Sequence, residues 1–388
     1  MLELADAIFR TSSSYELVLL DRLTHAEREL IGRVEGADDL YGVLRPRPGS
    51  PLEFRSASRD MALLLLTLRN PSVLPDYVRA DLGADFRNAV AKLVLDGVLE
   101  IEHAGSFVSG ADARDLVLTA NTESGPGRIA ALSLEALRYG QALEDMPTHE
   151  LASRLYFYGR KPVSPLWQRR LTSEEAVRAY LGQTGGGTAQ AVLDASWTEA
   201  PNSPDRPYWR MWHPRRGGSG SQAGGYKLYV SAECASLPDV FLAVAELLAD
   251  APGARGFKVG RDVFGLCRPD NLVAYFSRLE DLHKAASRLE ARLEGCRVQG
   301  VPFTAEMTRD GLLSWGVNPP AEYRSPRAGS WRLWVVDRLA EYLRAARAAS
   351  TGSVEPWRYA LDRLSVDGVD TGTWVPVSRI WSRSIAIG

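Results

Sequence analysis

The chain has 388 residues, 45% apolar and 24% charged, with a formal charge of -2 at neutral pH. That length and mixture suit two or more packed domains and exclude a globally disordered chain. The small negative charge argues against a protein that coats nucleic acid, and the longest apolar run, Met61 to Leu68, is far too short to cross a bilayer.

Residues 1–150 read as a mostly helical region. Apolar spacing predicts helices over Tyr15 to Ile31, Asp60 to Leu68 and Asp85 to Leu95. Val98 to Glu102 and Ser106 to Val108 flank His103-Ala104-Gly105 and read as a hairpin. Helix followed by a two-stranded wing is a winged-helix pattern, suited either to peptide or DNA docking or to service as a small packing subdomain. Asp81, Asp85 and Asp96 deny it a basic recognition face, which favours a peptide added along the wing edge.

A second domain is expected over 151–388. It contains a flexible loop at about 194–225, rich in Gly, Pro, Ser and Asn. Within it, Trp209-Arg210-Met211-Trp212-His213-Pro214-Arg215-Arg216 concentrates arginine and aromatic residues, and reads either as a mobile loop able to cover an anion or as a solvated loop with no role. Strands are predicted at Tyr226 to Ser231, Gly256 to Val259 and Leu272 to Phe276. Helices are predicted at Ser236 to Asp250 and from Leu279 to Leu293. Val301 to Thr304 reads as extended, Trp331 to Ala348 as a long final helix, and the tail from Val366 to Ile387 as an edge hairpin. Strands are few and short, so the fold class is α+β: a helical, winged-helix-like N-terminal region, then an α+β domain with a small sheet.

Three cysteines, Cys234, Cys267 and Cys296, are too scattered for a zinc site and read as reduced thiols. The opening Met1-Leu-Glu-Leu-Ala-Asp lacks the form of a secretory signal, so a cytoplasmic protein without metal or cofactor is expected. Only five of the 46 basic residues are lysines: Lys92, Lys161, Lys227, Lys258 and Lys284. Against so strong an arginine background each lysine needs a reason, and one reason is that lysine, unlike arginine, can give up its proton. His25, His103, His149 and His283 read as structural or surface residues.

Strand alternation puts Lys227 and Tyr229 on one face, and Lys258 follows some thirty residues later in a strand of its own. The two lysine strands are expected to be adjacent. Arg261, Arg268, Asp270 and Tyr275 come next. Lysines and arginines are seldom buried unpaired, so such a face is not an ordinary core. It suits β-elimination of phosphate from phosphoserine or phosphothreonine. A lysine, with a free-solution pKa of about 10.4, becomes a base when neighbouring cations push that value down. Arginines clamp the phosphate, and a tyrosine or histidine supplies a proton. No P-loop and no Gly-x-Ser-x-Gly pattern is present.

The pieces Lys227-Leu228-Tyr229-Val230-Ser231, Phe257-Lys258-Val259 and Val273-Ala274-Tyr275 resemble the lyase domain of class III and IV lanthipeptide synthetases and the bacterial effector phosphothreonine lyases. With Arg268-Pro269-Asp270-Asn271, Val301-Pro302-Phe303-Thr304 and Gly329-Ser330-Trp331-Arg332, residues 205–345 are similar to the HopA-type effector-like family, the stand-alone lyases of class V lanthipeptide and thioamitide pathways. The resemblance implies Lys258 as general base, and Lys227 as a phosphate-binding or enolate-stabilising group. Tyr275 and Arg268 would position substrate. Arg210, Arg215, Arg261 and Arg332 are further candidates for phosphate. The family's histidine acid is replaced by Tyr229, so either Tyr229 or His213 would donate the proton. The implied substrate is a phosphorylated precursor peptide. A Ser/Thr peptide kinase would act first and a cyclase would be a further partner, with no nucleic acid and no membrane involved. The alternatives are a non-catalytic effector-like protein that binds phosphopeptides and a winged-helix DNA-binding regulator.

Overall fold

A computed structural model of the protein describes residues 4–31, 39–48, 50, 52, 54–118, 125, 127–203, 207–215, 225–319, 329–347 and 354–377. Helices and small sheets mix in an α+β fold. The chain forms two compact units, Met1–Thr122 with Glu341–Asp367, and Glu123–Ala340 with Gly368–Gly388. The expected boundary near residue 150 therefore falls earlier, and a C-terminal segment returns to the first unit.

In the first unit β1 (Phe9–Thr11), β2 (Tyr15–Leu19), α1 (His25–Ile31), β3 (Leu40–Pro46) and β4 (Arg55–Ser58) precede α2 (Arg59–Thr67), α3 (Asp76–Leu82) and α4 (Phe86–Leu95). Then come β5 (Leu99–His103), β6 (Ser106–Val108) and α5 (Arg114–Val117). Two antiparallel sheets result, in the orders β1-β5-β6 and β2-β3-β4. The hairpin expected after Leu95 is present as β5–β6. The helix expected over Tyr15 to Ile31 is not: its first part pairs with β3 as a strand. Helix begins only where Thr24 and Glu27 cap each other reciprocally, the Thr24 amide reaching Glu27 at 2.8 Å and the Glu27 amide reaching Thr24 Oγ1 at 3.3 Å.

The second unit has helices α6 (Arg128–Ala142), α7 (Thr148–Tyr156), α8 (Pro165–Arg170), α9 (Glu174–Tyr180) and α10 (Thr188–Ser196) before its sheet. Strands β7 (Trp197–Glu199), β8 (Trp209–Pro214) and β9 (Tyr226–Val230) follow, then α11 (Leu237–Ala249), β10 (Ala254–Gly260), α12 (Val263–Leu266), β11 (Leu272–Phe276) and α13 (Leu279–Arg292). β12 (Ala305–Glu306), β13 (Leu313–Val317) and the part of α14 (Trp331–Arg347) up to Ala340 follow, the rest of that helix belonging to the first unit. The expected final helix is followed by another, α15 (Pro356–Val366), which packs on α4 within the first unit. β14 (Val369–Asp370) and β15 (Val375–Pro376) form a separate two-stranded sheet rather than an edge of the large one, and residues 378–388 of the expected tail lie outside the described residues.

The seven strands take the order β12-β13-β9-β11-β10-β8-β7, with every neighbouring pair antiparallel. β9 and β10 are thus parallel to each other, joined through α11, with β11 inserted between them. One face is apolar. Leu228, Val230, Phe257, Val259, Leu272, Ala274 and Phe276 are fully buried there, against α11 and α13, which pack on these strands. Phe241 of α11 meets Phe257 at 5.7 Å and Trp212 at 5.5 Å between ring centroids, and the Trp197 indole donates to the Ala245 carbonyl at 3.1 Å. In α11 the inward residues Leu237, Val240, Phe241, Val244 and Leu248 recur at helical spacing, after Pro238 in the first turn.

The expected mobile loop is corrected here. Trp209 to Pro214 is an ordered strand because it pairs with β10 on one side and β7 on the other. Gly217 to Ser221 and Arg216 lie outside the described residues. Val301 to Thr304 is not a strand either: Phe303 takes a left-handed φ of 64° and turns the chain, its amide held by Ser133 Oγ at 2.8 Å.

Candidate active site

The second sheet face carries the polar residues, and alternation decides which side chains reach it. β9 sends Lys227 and Tyr229 there, β11 sends Val273 and Tyr275 opposite them, and β10 adds Lys258 opposite Val273. β8 contributes Met211 opposite Lys258, with Trp209 and His213 at the alternate positions to either side. Beyond β9, Ser314 and Gly316 of β13 continue the rows.

The two lysine strands, expected to touch, are separated by β11, which places them about 10 Å apart at two strand spacings. Tyr275 occupies the interval. It is the register partner of Lys227, and its ring lies 6.0 Å from Lys258 Nζ. Lys258 Nζ is 3.9 Å from the centroid of the Trp209 ring, and the Arg268 guanidinium approaches the same indole at 4.8 Å. Two cations thus share one aromatic surface.

Beside this face the loop before β11 folds over the strand ends. Ser231 Oγ donates to the Pro269 carbonyl at 2.6 Å, and Asn271 Nδ2 donates to the carbonyls of Ala232 and Leu266 at 2.7 and 3.0 Å. The pinned loop sets Asp270 in a bidentate pair with Arg268, Nε to Oδ1 at 2.8 Å and Nη2 to Oδ2 at 3.0 Å. Arg332, in the first turn of α14, meets the same carboxylate through Nη1 at 3.2 Å, and the Tyr156 hydroxyl donates to it at 2.9 Å. Burial pushes the Asp270 carboxyl up, but Arg332 and Arg268 outweigh burial and hold it well below the ordinary carboxylate range. Tyr229, 3% exposed, packs with Val273, Val301 and Tyr275. Burial pushes its phenol well above the ordinary value, with Arg332 opposing, so it stays protonated.

The candidate residues divide accordingly. Lys227, Lys258, Tyr229, Tyr275 and Arg268 are brought together. His213 reaches the same face across Gly256, whose missing side chain leaves the row open; a Cβ there would lie 3.3 Å from His213 Nδ1 and 2.3 Å from the Trp212 carbonyl. Arg332 belongs to the cluster, is 1% exposed and braces Asp270 through Nη1. Arg210 is a correction. Its strand position sends it to the helix-covered face, where it bonds Glu199 at 2.9 Å and Gln183, stacked over Trp212 at 4.7 Å. Arg261 is also drawn away, its Nε bound to Glu174 at 2.6 Å. Arg215 is exposed at the end of β8, its amide bonded to the Ser196 carbonyl at 2.9 Å.

Elsewhere Lys92 pairs with Asp367 at 2.6 Å, Lys161 with Glu233 at 3.9 Å and Lys284 with Glu280 at 2.6 Å. Sequence reasoning missed Tyr156, Trp209 and the central place of Asp270. Trp209 had a signal in the alternation of Trp209-Arg210-Met211-Trp212, a strand pattern hidden by its Gly-rich surroundings. Tyr156 had none, because its hydroxyl meets Asp270 across 114 positions of sequence.

No protein-family model matches the chain, and no curated protein sequence matches it. Among solved structures, an effector protein from Pseudomonas syringae pv. syringae strain 61 is similar over 64% of this chain and 96% of its own, at 14% identity and a TM-score of 0.39. The phosphothreonine lyase SpvC, the effector protein from Salmonella, is similar over 52% of this chain and 98% of its own, at 15% identity and a TM-score of 0.28. The type III effector and phosphothreonine lyase OspF from Shigella flexneri is similar over 44% and 90%, at 13% identity and a TM-score of 0.28.

Proposed function

We propose that this protein is a phosphoserine/phosphothreonine lyase that eliminates phosphate from a phosphorylated precursor peptide, leaving dehydroalanine or dehydrobutyrine. One observation carries the reading: Lys227, Lys258 and Arg268 surround Tyr275 and Trp209 on a single sheet face. That is an anion site with a side chain able to act as base.

Lys258, as the neutral amine, removes the Cα proton of the phosphorylated residue. The electron pair forms the Cα–Cβ double bond, and the Cβ–O bond breaks to release phosphate. Lys227 and the Nη1 edge of Arg268, turned away from Asp270, hold the leaving group. An unprotonated departing phosphate would be strongly basic, so a phenol is acid enough to meet it; Tyr229 fills that role, with His213 as the second donor on the face. Asp270 fixes Arg268 and takes no proton itself.

The chain's motifs include none that binds a nucleotide, so a Ser/Thr peptide kinase supplies the phosphorylated substrate. The dehydroamino acid is an electrophile, which suits capture of a cysteine thiol by a cyclase. The reading places the protein in lanthipeptide-type maturation of a ribosomal peptide.

Purified protein incubated with phosphothreonine and phosphoserine peptides should yield products lighter by phosphoric acid in a mass spectrum. Full elimination by both Lys258→Ala and Lys227→Ala would overturn the assignment. Tight peptide binding without product would instead mark a phosphopeptide-binding partner protein.

A further inference from the structure

Next to the lysine face, the outward side of α7 and the turn after it form a cavity of about 590 Å³. Tyr139, Phe157 and Tyr158 supply its aromatic walls, and Arg154, Arg160 and Glu150 its charge. Tyr139 and Phe157 are 40% and 37% exposed, unusual for such large rings, and Tyr139 and Tyr158 face each other at 5.5 Å. The lining itself carries two arginines and one glutamate, with Glu135 near Tyr158.

Its wall is fixed to the site. Gln299 Nε2 donates to the Gly159 carbonyl at 2.8 Å and to the Cys267 carbonyl at 3.1 Å, and the Lys161 amide donates to Cys267 at 3.1 Å. The turn that carries Phe157 to Arg160 is therefore tied to the residue preceding Arg268. Phe157 also stacks on Arg268 at 5.1 Å. From Lys258 the route runs to Trp209 at 3.9 Å, to Arg268 at 4.8 Å and to Phe157 at 5.1 Å. These contacts run through packed side chains, Arg268 being 8% exposed, and they bound the separation of Lys258 from Phe157 at about four extended residues of roughly 3.3–3.6 Å each.

We infer that this cavity is a substrate subsite for the peptide flanking the phosphorylated residue. It selects an acidic side chain next to an apolar one, about three to five positions away. The carboxylate is held by Arg154 and Arg160, and the apolar side chain lies on Phe157 and Tyr139. The inference rests on the lyase reading for the identity of the reacting residue, but the charge preference of the cavity can be measured separately.

The test uses fluorescent phosphothreonine peptides bearing Glu-Phe or Lys-Ala at three to five positions on either side. Elimination rates and binding anisotropy are measured for the wild-type protein and for the Arg154→Glu/Arg160→Glu variant. The expected result is a kcat/KM about tenfold higher for the Glu-Phe peptides, expressed in KM, and a reversed preference in the variant. Elimination that ignores the flank, or a variant with unaltered preference, overturns the subsite. If no peptide is turned over, the lyase reading fails. Anisotropy then decides the subsite by itself: Glu-Phe preference and its reversal uphold it, and equal affinities overturn it.

Discussion

The two faces of the seven-stranded sheet are built from the same strands and have opposite chemistry. Phe257 buries completely among Trp197, Trp212 and Phe241, and Val259 is buried on the same face, while Lys258 between them lies on the opposite face with Trp209 and Tyr275. Trp209 supports two cations on one face, and Arg210 next to it is locked among Glu199, Gln183 and Trp212 on the other. A one-residue step thus separates a group available for chemistry from a group committed to folding. Residue type alone does not tell them apart; two arginines can differ more in role than an arginine and a phenylalanine.

The contrast yields graded tests. The largest effect is expected at residue 258. Lys258→Ala should reduce elimination by roughly 10²–10⁴-fold, the usual worth of a positioned acid or base, with unchanged unfolding. Lys258→Arg should be as poor, since arginine keeps its proton. Phe257→Ala should instead cost about 3–5 kcal/mol in urea unfolding. A stable, fully active Lys258→Ala protein would erase the distinction between the faces.

Next come the arginines. Arg210→Ala removes a buried guanidinium that bonds Gln183 and Glu199, and should destabilise by about 1–3 kcal/mol, since Glu199 is partly exposed and keeps Arg178 at 2.8 Å. Arg268→Ala should raise KM for phosphopeptides at least tenfold, a difference visible in steady-state kinetics. Equal effects of the two on KM would show that both reach the substrate.

Asp270 tests the brace between faces and ligand. Its carboxyl is held below the ordinary range in the folded protein, so its stabilisation is complete above the unfolded value of about pH 3.9 and is lost as pH falls from there toward the folded value. Asp270→Asn should flatten that part of the acid limb in a pH series of thermal unfolding. An unaltered acid limb would mean the carboxylate is not the residue being protonated.

The smallest effect is expected at Gly316. A Cβ there would come within 2.8 Å of the Trp331 indole, whose nitrogen donates to the Phe303 carbonyl at 2.9 Å. Gly316→Ala should cost about 1–3 kcal/mol by overpacking, measured by urea unfolding.

Much of this was legible in the sequence. Alternation placed Lys227 with Tyr229, and the spacing of Phe241, Val244, Leu247 and Leu248 gave α11, although Leu247 is only partly buried and Val240 takes an inward place. Strand order was not legible, because insertion of β11 depends on pairing partners that lie at different distances along the chain. Nor was the facing of Arg210, since a strand's register is set by its neighbours. The Tyr15–Leu19 strand also satisfies helical spacing, and pairing with β3 decided the matter. Asp270 stood in plain view beside Arg268, yet its grip on Arg332 and Tyr156 exists only in three dimensions.

The insertion of β11 has a consequence for the order in which the protein can become competent. β9 and β10 join only through residues 272–276, although both lysines are already present by residue 258. A chain emerging from the ribosome therefore carries both lysines before it has anything to arrange them around. One later segment, Leu272–Phe276, joins the two lysine strands as a keystone, and the brace on Asp270 waits longer still, for Arg332.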